Sequence, residues 1–212
     1  MAAIQDLVDP SMLAPMQPPT PGLPPRPLPR IDFLTGKAAD ICNRFALGEQ
    51  AALHLSTRQS PYEFLELLTE KKLYPDAVRL LANGLSKRDA VRWACLCLRE
   101  SLGSGAPAKA RPALEAAEAW VKSPTEENRR ASMKAAEATG FGAPAGLAAL
   151  AAFWSGGSIT PPDAPVVPPD DNMTAEAVAG AVLLAAVGAT PDEVPKRQQR
   201  YLLLGLTVAC GA

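Results

Sequence analysis

Short apolar stretches of helical spacing, each opened by a side-chain cap and closed by a helix-breaking residue, set the terms on which this chain can fold. Ser60, Pro61 and Glu63 open one stretch, Ser86 and Asp89 a second, and Ser123, Pro124 and Glu126 a third. In each, an oxygen at the cap can accept an amide of the first turn, and a carboxylate three residues on can answer the cap. Donors that a helix end leaves without partners are thereby satisfied. With no strand-like alternation anywhere, the pattern predicts an all-α fold: a compact bundle or helical-repeat-like array of about eight short helices.

Helical spacing runs over 37–55, with Ile41, Phe45 and Leu53 expected inward and Gly48 as a break. It resumes behind Ser60, where Tyr62, Phe64, Leu65, Leu67 and Leu68 form a stripe, and then over 75–84, 87–102, 112–121, 123–138, 143–154, 175–187 (capped by Thr174) and 194–209. Residues 15–30 hold eight prolines, which fix φ and remove amide donors. The expected organisation is a disordered proline-rich tail over 1–31 and a helical domain over 32–212. The small and helix-breaking residues near 103–107 mark a subdomain boundary. Hydrophobic residues make up 48% of the chain but aromatics only 5%. Much of the core is therefore alanine, which buries little area and favours many close helix contacts over a few large anchors.

Twenty-one basic and 22 acidic residues give a net charge of -1, so no strong field exists to attract nucleic acid or an anionic membrane. The longest apolar stretches, 143–154, 177–189 and 201–212, fall short of the roughly 20 residues that cross a bilayer, so no membrane insertion is expected. The first ten residues lack the basic and apolar regions of a signal peptide, and a cytoplasmic setting is expected. Cys42, Cys95, Cys97 and Cys210 are expected as reduced, buried thiols.

Catalytic and metal chemistry finds little support. Cys95 and Cys97 sit two apart on a helix, about 200° from each other, and cannot grip one ion together. His54 is the only histidine and has no evident partner. The glycines at 140, 142 and 146 lack the strand and lysine of a phosphate loop. Glu115 and Glu118, like Glu126, Arg129 and Arg130, fit solvated pairs on a helix surface. The strip Arg88, Arg92 and Arg99 could attract an acidic partner or equally be neutralised by Glu63, Glu66 and Glu70 of a neighbouring helix. No catalytic, cofactor-binding or metal-binding residue is assigned and no cofactor is expected. The enzymatic alternative would assemble a site from scattered residues such as His54, Cys95 and Glu66.

A protein partner fits better. Residues 155–172 form a loop of eighteen residues with two glycines and five prolines, long for a compact domain unless it has a use. Trp154, Gly156, Gly157, Ile159, Pro161, Pro162, Val166 and Val167 are the candidate partner-binding residues, prolines lowering the ordering cost and the apolar side chains supplying contact. The competing reading is a strap that covers the apolar helices on either side. Residues 21–26 also match P-x-x-P-x-R, a pattern of extended ligands, in a tract that otherwise reads as a tether.

The strings SKRDAVRWACLC (86–97), AAFWSGGS (151–158) and AVAGAV (177–182) resemble a family of uncharacterised bacterial all-helical proteins of unknown function, loosely associated with type VI secretion gene neighbourhoods. The resemblance covers 60–209. It implies a setting rather than an activity; with the absence of catalytic groups and the proline-rich segments, it leads to the expectation of a non-catalytic adaptor, accessory or chaperone-like role, with a secretion component or its cargo as partner. The alanine-rich second half also resembles helical immunity proteins, which implies a toxin as the partner instead.

Overall fold

The computed structural model describes residues 36–103, 106–188 and 190–210. The tail over 1–31 and the P-x-x-P-x-R match lie outside the described residues. Within them the chain is all-α: α1 (Ala38–Cys42), α2 (Glu49–Ala52), α3 (Pro61–Glu70), α4 (Tyr74–Gly84), α5 (Lys87–Ser101), α6 (Ala110–Lys122), α7 (Glu126–Thr139), α8 (Pro144–Phe153), α9 (Met173–Val187) and α10 (Val194–Ala209), with a 3-10 turn at Pro191–Glu193 before α10.

Two of the expected caps set their helices. Ser60 accepts the Glu63 amide while the Glu63 carboxylate takes the Ser60 amide, a complete capping box, and Ser86 accepts the Asp89 amide to start α5. Ser123 does not cap. It ends α6, and Asn128 Nδ2 donates to the carbonyls of Ala119 and Ser123 at 3.3 and 2.8 Å, holding the turn there. The cap of α7 is Thr125, whose side chain accepts the Asn128 amide. Glu126 thus falls in the first helical position rather than the third.

The stretch over 37–55 is two separate turns of helix, with the expected break at Gly48. Asp76 Oδ1 accepts the Gly48 amide at 2.9 Å and pins the break, so the phase of α1 is not carried into α2. Ile41 stays buried, but Leu53, expected inward, follows α2 and is 77% exposed. Cys210 likewise departs from expectation: it is exposed, beyond the end of α10, while Cys42, Cys95 and Cys97 are buried.

One contiguous apolar cluster extends from α1 to α10. At its centre α8 and α9 pack on each other, α8 also meeting α5, α6 and α7 while α9 meets α4, α5 and α10. Both are buried on nearly every side, largely through alanine. Each buried methyl contributes on the order of 0.8 kcal/mol, so stability rests on the number of close approaches. Gly205 shows how close they are. A Cβ there would stand 2.6 Å from Leu81 Cδ2 and 2.8 Å from Trp93 Cε2, so α10 reaches the α4–α5 pair only because that position is glycine. Trp93 is fully buried, and its Nε1 donates to the Tyr201 carbonyl at 2.7 Å. Arg88 and Arg99 of α5 meet α6 rather than the glutamates of α3. Arg88 Nε donates to the Val121 carbonyl at 2.7 Å, and Arg99 makes a forked pair with Glu118. Arg88 answers carbonyls that the end of α6 would otherwise leave unpaired.

Candidate functional site

The segment between α8 and α9 is held by the first turn of α7. Because Thr125 caps that helix, Glu126, Arg129 and Arg130 fall on one face of its opening turn, and the residues after α8 run across it. Arg129 Nε and Nη2 fork onto the Glu126 carboxylate at 2.6 and 2.7 Å. Its Nη1 donates to the Phe153 carbonyl at 2.6 Å and its Nη2 also to the Ser158 carbonyl at 2.8 Å. Arg130 Nε shares the same carboxylate at 2.7 Å, and its Nη1 donates to the Thr160 carbonyl at 2.9 Å.

The spacing of these three residues predicts a solvated face. The pairs at i,i+3 and i,i+4 do form, and Glu126 stays exposed as expected, but the loop folds over Arg129 and leaves it only 4% exposed. The guanidinium stacks on the Phe153 ring at 4.6 Å, so its apolar face meets an aromatic and its edge meets oxygens. The hydrogen bonds from Arg129, with those from Arg130, hold the Glu126 carboxyl down at about 2. The planar fork suits this task, since one guanidinium can address a carboxylate and two carbonyls at once.

Gly157 is the sequence feature that belongs to this arrangement. Its φ of +64° is one that side-chain-bearing residues seldom adopt, and a Cβ there would stand 2.9 Å from Arg129 Nε and Nη2. Gly156 has open space around it.

Beyond the clamp the loop closes on itself. The Ile159 amide donates to the Val167 carbonyl at 2.9 Å, and the Val167 amide donates to Ser158 Oγ at 3.0 Å. Ser158 and Thr160 share a hydrogen bond between their hydroxyls, and Thr160 Oγ1 donates to the Pro165 carbonyl at 2.7 Å. These polar groups are thus paired within the loop. The branched apolar side chains are turned out: Ile159 is 37%, Val167 43% and Val166 78% exposed. Pro161 and Pro162 are exposed beside them. Trp154 is not part of this crest; it ends α8, half-buried and packed on the core.

The residues of the enzymatic alternative stand differently. Cys95 lies in the core, where burial pushes its thiol well up and disfavours the nucleophilic thiolate. Burial does the same to Cys97, and raises Cys42 to about 11. Among the described residues, no group of three or more His, Cys, Asp or Glu side chains is placed to hold a metal ion, and no helix is long and apolar enough to cross a membrane.

A family of unknown function, DUF6931, matches residues 64–209. The chain belongs to DUF6931. The span that carries the DUF6931 match runs from within α3 to the end of α10, and so includes the arginine pair and the loop they hold. Neither a curated protein nor a solved structure matches the chain.

Proposed function

We propose that this chain is a non-catalytic protein-binding component, an adaptor, accessory or chaperone-like factor of a bacterial secretion system, acting in the cytoplasm. Its contact surface is the crest formed by Ile159, Val166 and Val167. The observation that supports this reading is the division of labour in the loop between α8 and α9. Polar ties close the loop on itself and onto Arg129 and Arg130, while three branched apolar side chains stay in water. A strap that existed to cover α8 and α9 would bury its apolar side chains beneath it. A loop whose backbone is already ordered loses little entropy on binding, so the apolar area it buries against a partner is offset less. The type VI setting rests on the sequence resemblance to proteins of those gene neighbourhoods.

Removing the loop would be a poor test, because the Arg129 and Arg130 guanidiniums would lose the Ser158 and Thr160 carbonyls along with any partner. The double substitution Val166→Asp and Val167→Asp changes only the crest. Capture from a native lysate should recover secretion components or their cargo with the wild-type chain and lose them with the variant, with melting temperature unchanged. Recovery of the same proteins by both chains, or of no secretion protein by either, contradicts the proposal. Rescue of cells from a neighbouring toxin gene by the wild-type chain would move the reading to an immunity protein.

A further inference from the structure

A polar crevice of about 650 Å³ opens where the chain enters α9, lined by Arg44, Asn83, Lys87, Asn172, Thr174 and Ala175 among others. Thr174 is expected from sequence to cap α9. The helix begins earlier, at Met173, so Thr174 sits within its first turn and is almost completely buried. Its Oγ1 has no hydrogen-bond partner among the described residues. Asn172 at the N-cap offers no side-chain hydrogen bond either. The Met173 amide reaches the Asp170 carbonyl at 3.2 Å and the Glu176 amide the Asn172 carbonyl at 3.0 Å. Between them, the amides of Thr174 and Ala175 have no acceptor among the described residues.

Charge in the crevice is mixed, and its carboxylates are turned to other tasks. Asp170 Oδ1 accepts the Asn172 amide at 3.1 Å. Asp171 has a fully exposed side chain, 3.7 Å from Lys87 Nζ. Arg44 makes one hydrogen bond, from Nη1 to the Asn83 carbonyl at 3.2 Å, and no described carboxylate pairs with it. The residues that carry a buried unpartnered hydroxyl, two first-turn amides without acceptors and a guanidinium with remaining donors therefore line one space. The amides carry the partial positive charge of a helix start.

We propose that this crevice binds an oxyanion, a phosphate or carboxylate group, on the Thr174 and Ala175 amides, the Thr174 hydroxyl and the Arg44 guanidinium. The inference is independent of the loop crest: it concerns a different surface and a different chemistry, and either can fail alone. Inorganic phosphate and acetate, titrated separately into the full chain at constant ionic strength and followed by amide NMR, provide the test. The Thr174 and Ala175 amides should move saturably with at least one of them. A response to phosphate alone assigns a phosphoryl ligand, and a response to acetate alone a carboxylate. Thr174→Val keeps the shape without the hydroxyl, and Arg44→Gln removes the charge. Each should weaken the response about tenfold or more. No saturable movement with either anion overturns the proposal, as does movement that both variants leave unchanged.

Discussion

Arg129 Nη1 donates to the Phe153 carbonyl at 2.6 Å while the same guanidinium stacks on the Phe153 ring at 4.6 Å. The last residue of α8 is thus gripped by backbone and side chain at once, and the loop that follows leaves the helix in a fixed direction. That direction carries Ser158 and Thr160 under the two arginines and sets Ile159, Val166 and Val167 outward.

Replacing Arg129 by methionine, which keeps the bulk and removes the donors, should destabilise the fold by about 3 kcal/mol, since it leaves the Phe153 carbonyl without its donor and leaves the Ser158 carbonyl and the Glu126 carboxylate to Arg130 alone. Arg129→Lys should recover less than half of that, because an ammonium cannot address the same three acceptors in one plane. Urea unfolding of the three proteins measures both.

The two adjacent glycines should behave differently. Gly157→Ala places a Cβ 2.9 Å from the Arg129 guanidinium at a φ of +64°. It should cost about 1–2 kcal/mol for the backbone alone, with the displaced arginine adding to it. Gly156→Ala meets nothing within 4 Å and should stay within about 0.5 kcal/mol of wild type. Similar losses at both positions would mean that Gly157 has no special relation to Arg129.

Acid should loosen the loop through Glu126. Its carboxyl falls from the ordinary 4.5 to about 2 in the folded protein. A folded value below the unfolded one stabilises the protein above the unfolded value, and that stabilisation fades as pH falls from about 4.5 towards 2. Glu126 is half-exposed, so the contribution is screened and should not exceed about 1 kcal/mol. Stability measured against pH should show this step in the wild type and lack it in Glu126→Gln.

One thiol per chain should react with a thiol reagent under native conditions, and it should be Cys210, which is exposed. Cys42, Cys95 and Cys97 are buried, with thiols raised by desolvation, and should react only after unfolding. Cys210→Ser should abolish the native reaction.

Much of the helical body is legible in the sequence because its signals are local. The Ser60 box, the Ser86 cap and the unbroken apolar runs that become α8 and α9 need only a few neighbouring residues to be read. Where two local oxygens compete, reading falters: Ser123 and Thr125 both stand before α7, and only the Asn128 contacts with Ala119 and Ser123 decide between them. The arginine pair is harder still. Glu126, Arg129 and Arg130 have the same spacing whether their face meets water or a loop, and the difference lies in carbonyls 24 to 30 residues further along the chain. The candidate loop is visible as a long run of glycine and proline, while its internal closure through Ser158 and Thr160 depends on three-dimensional contacts that composition does not encode. Leu53 shows the converse: apolar and expected inward, it follows the short helix α2 and is exposed, and no local signal in the sequence marks it as outward.

Amide hydrogen exchange at Ile159 and Val167 asks most directly whether the loop is a built element that holds its crest in water. Both amides have hydrogen-bond acceptors within the loop, the Val167 carbonyl and Ser158 Oγ. Exchange at both should be slowed about tenfold or more relative to an unstructured chain, with that protection lost in Arg129→Met. Unprotected exchange at both positions in the wild-type protein would contradict the account.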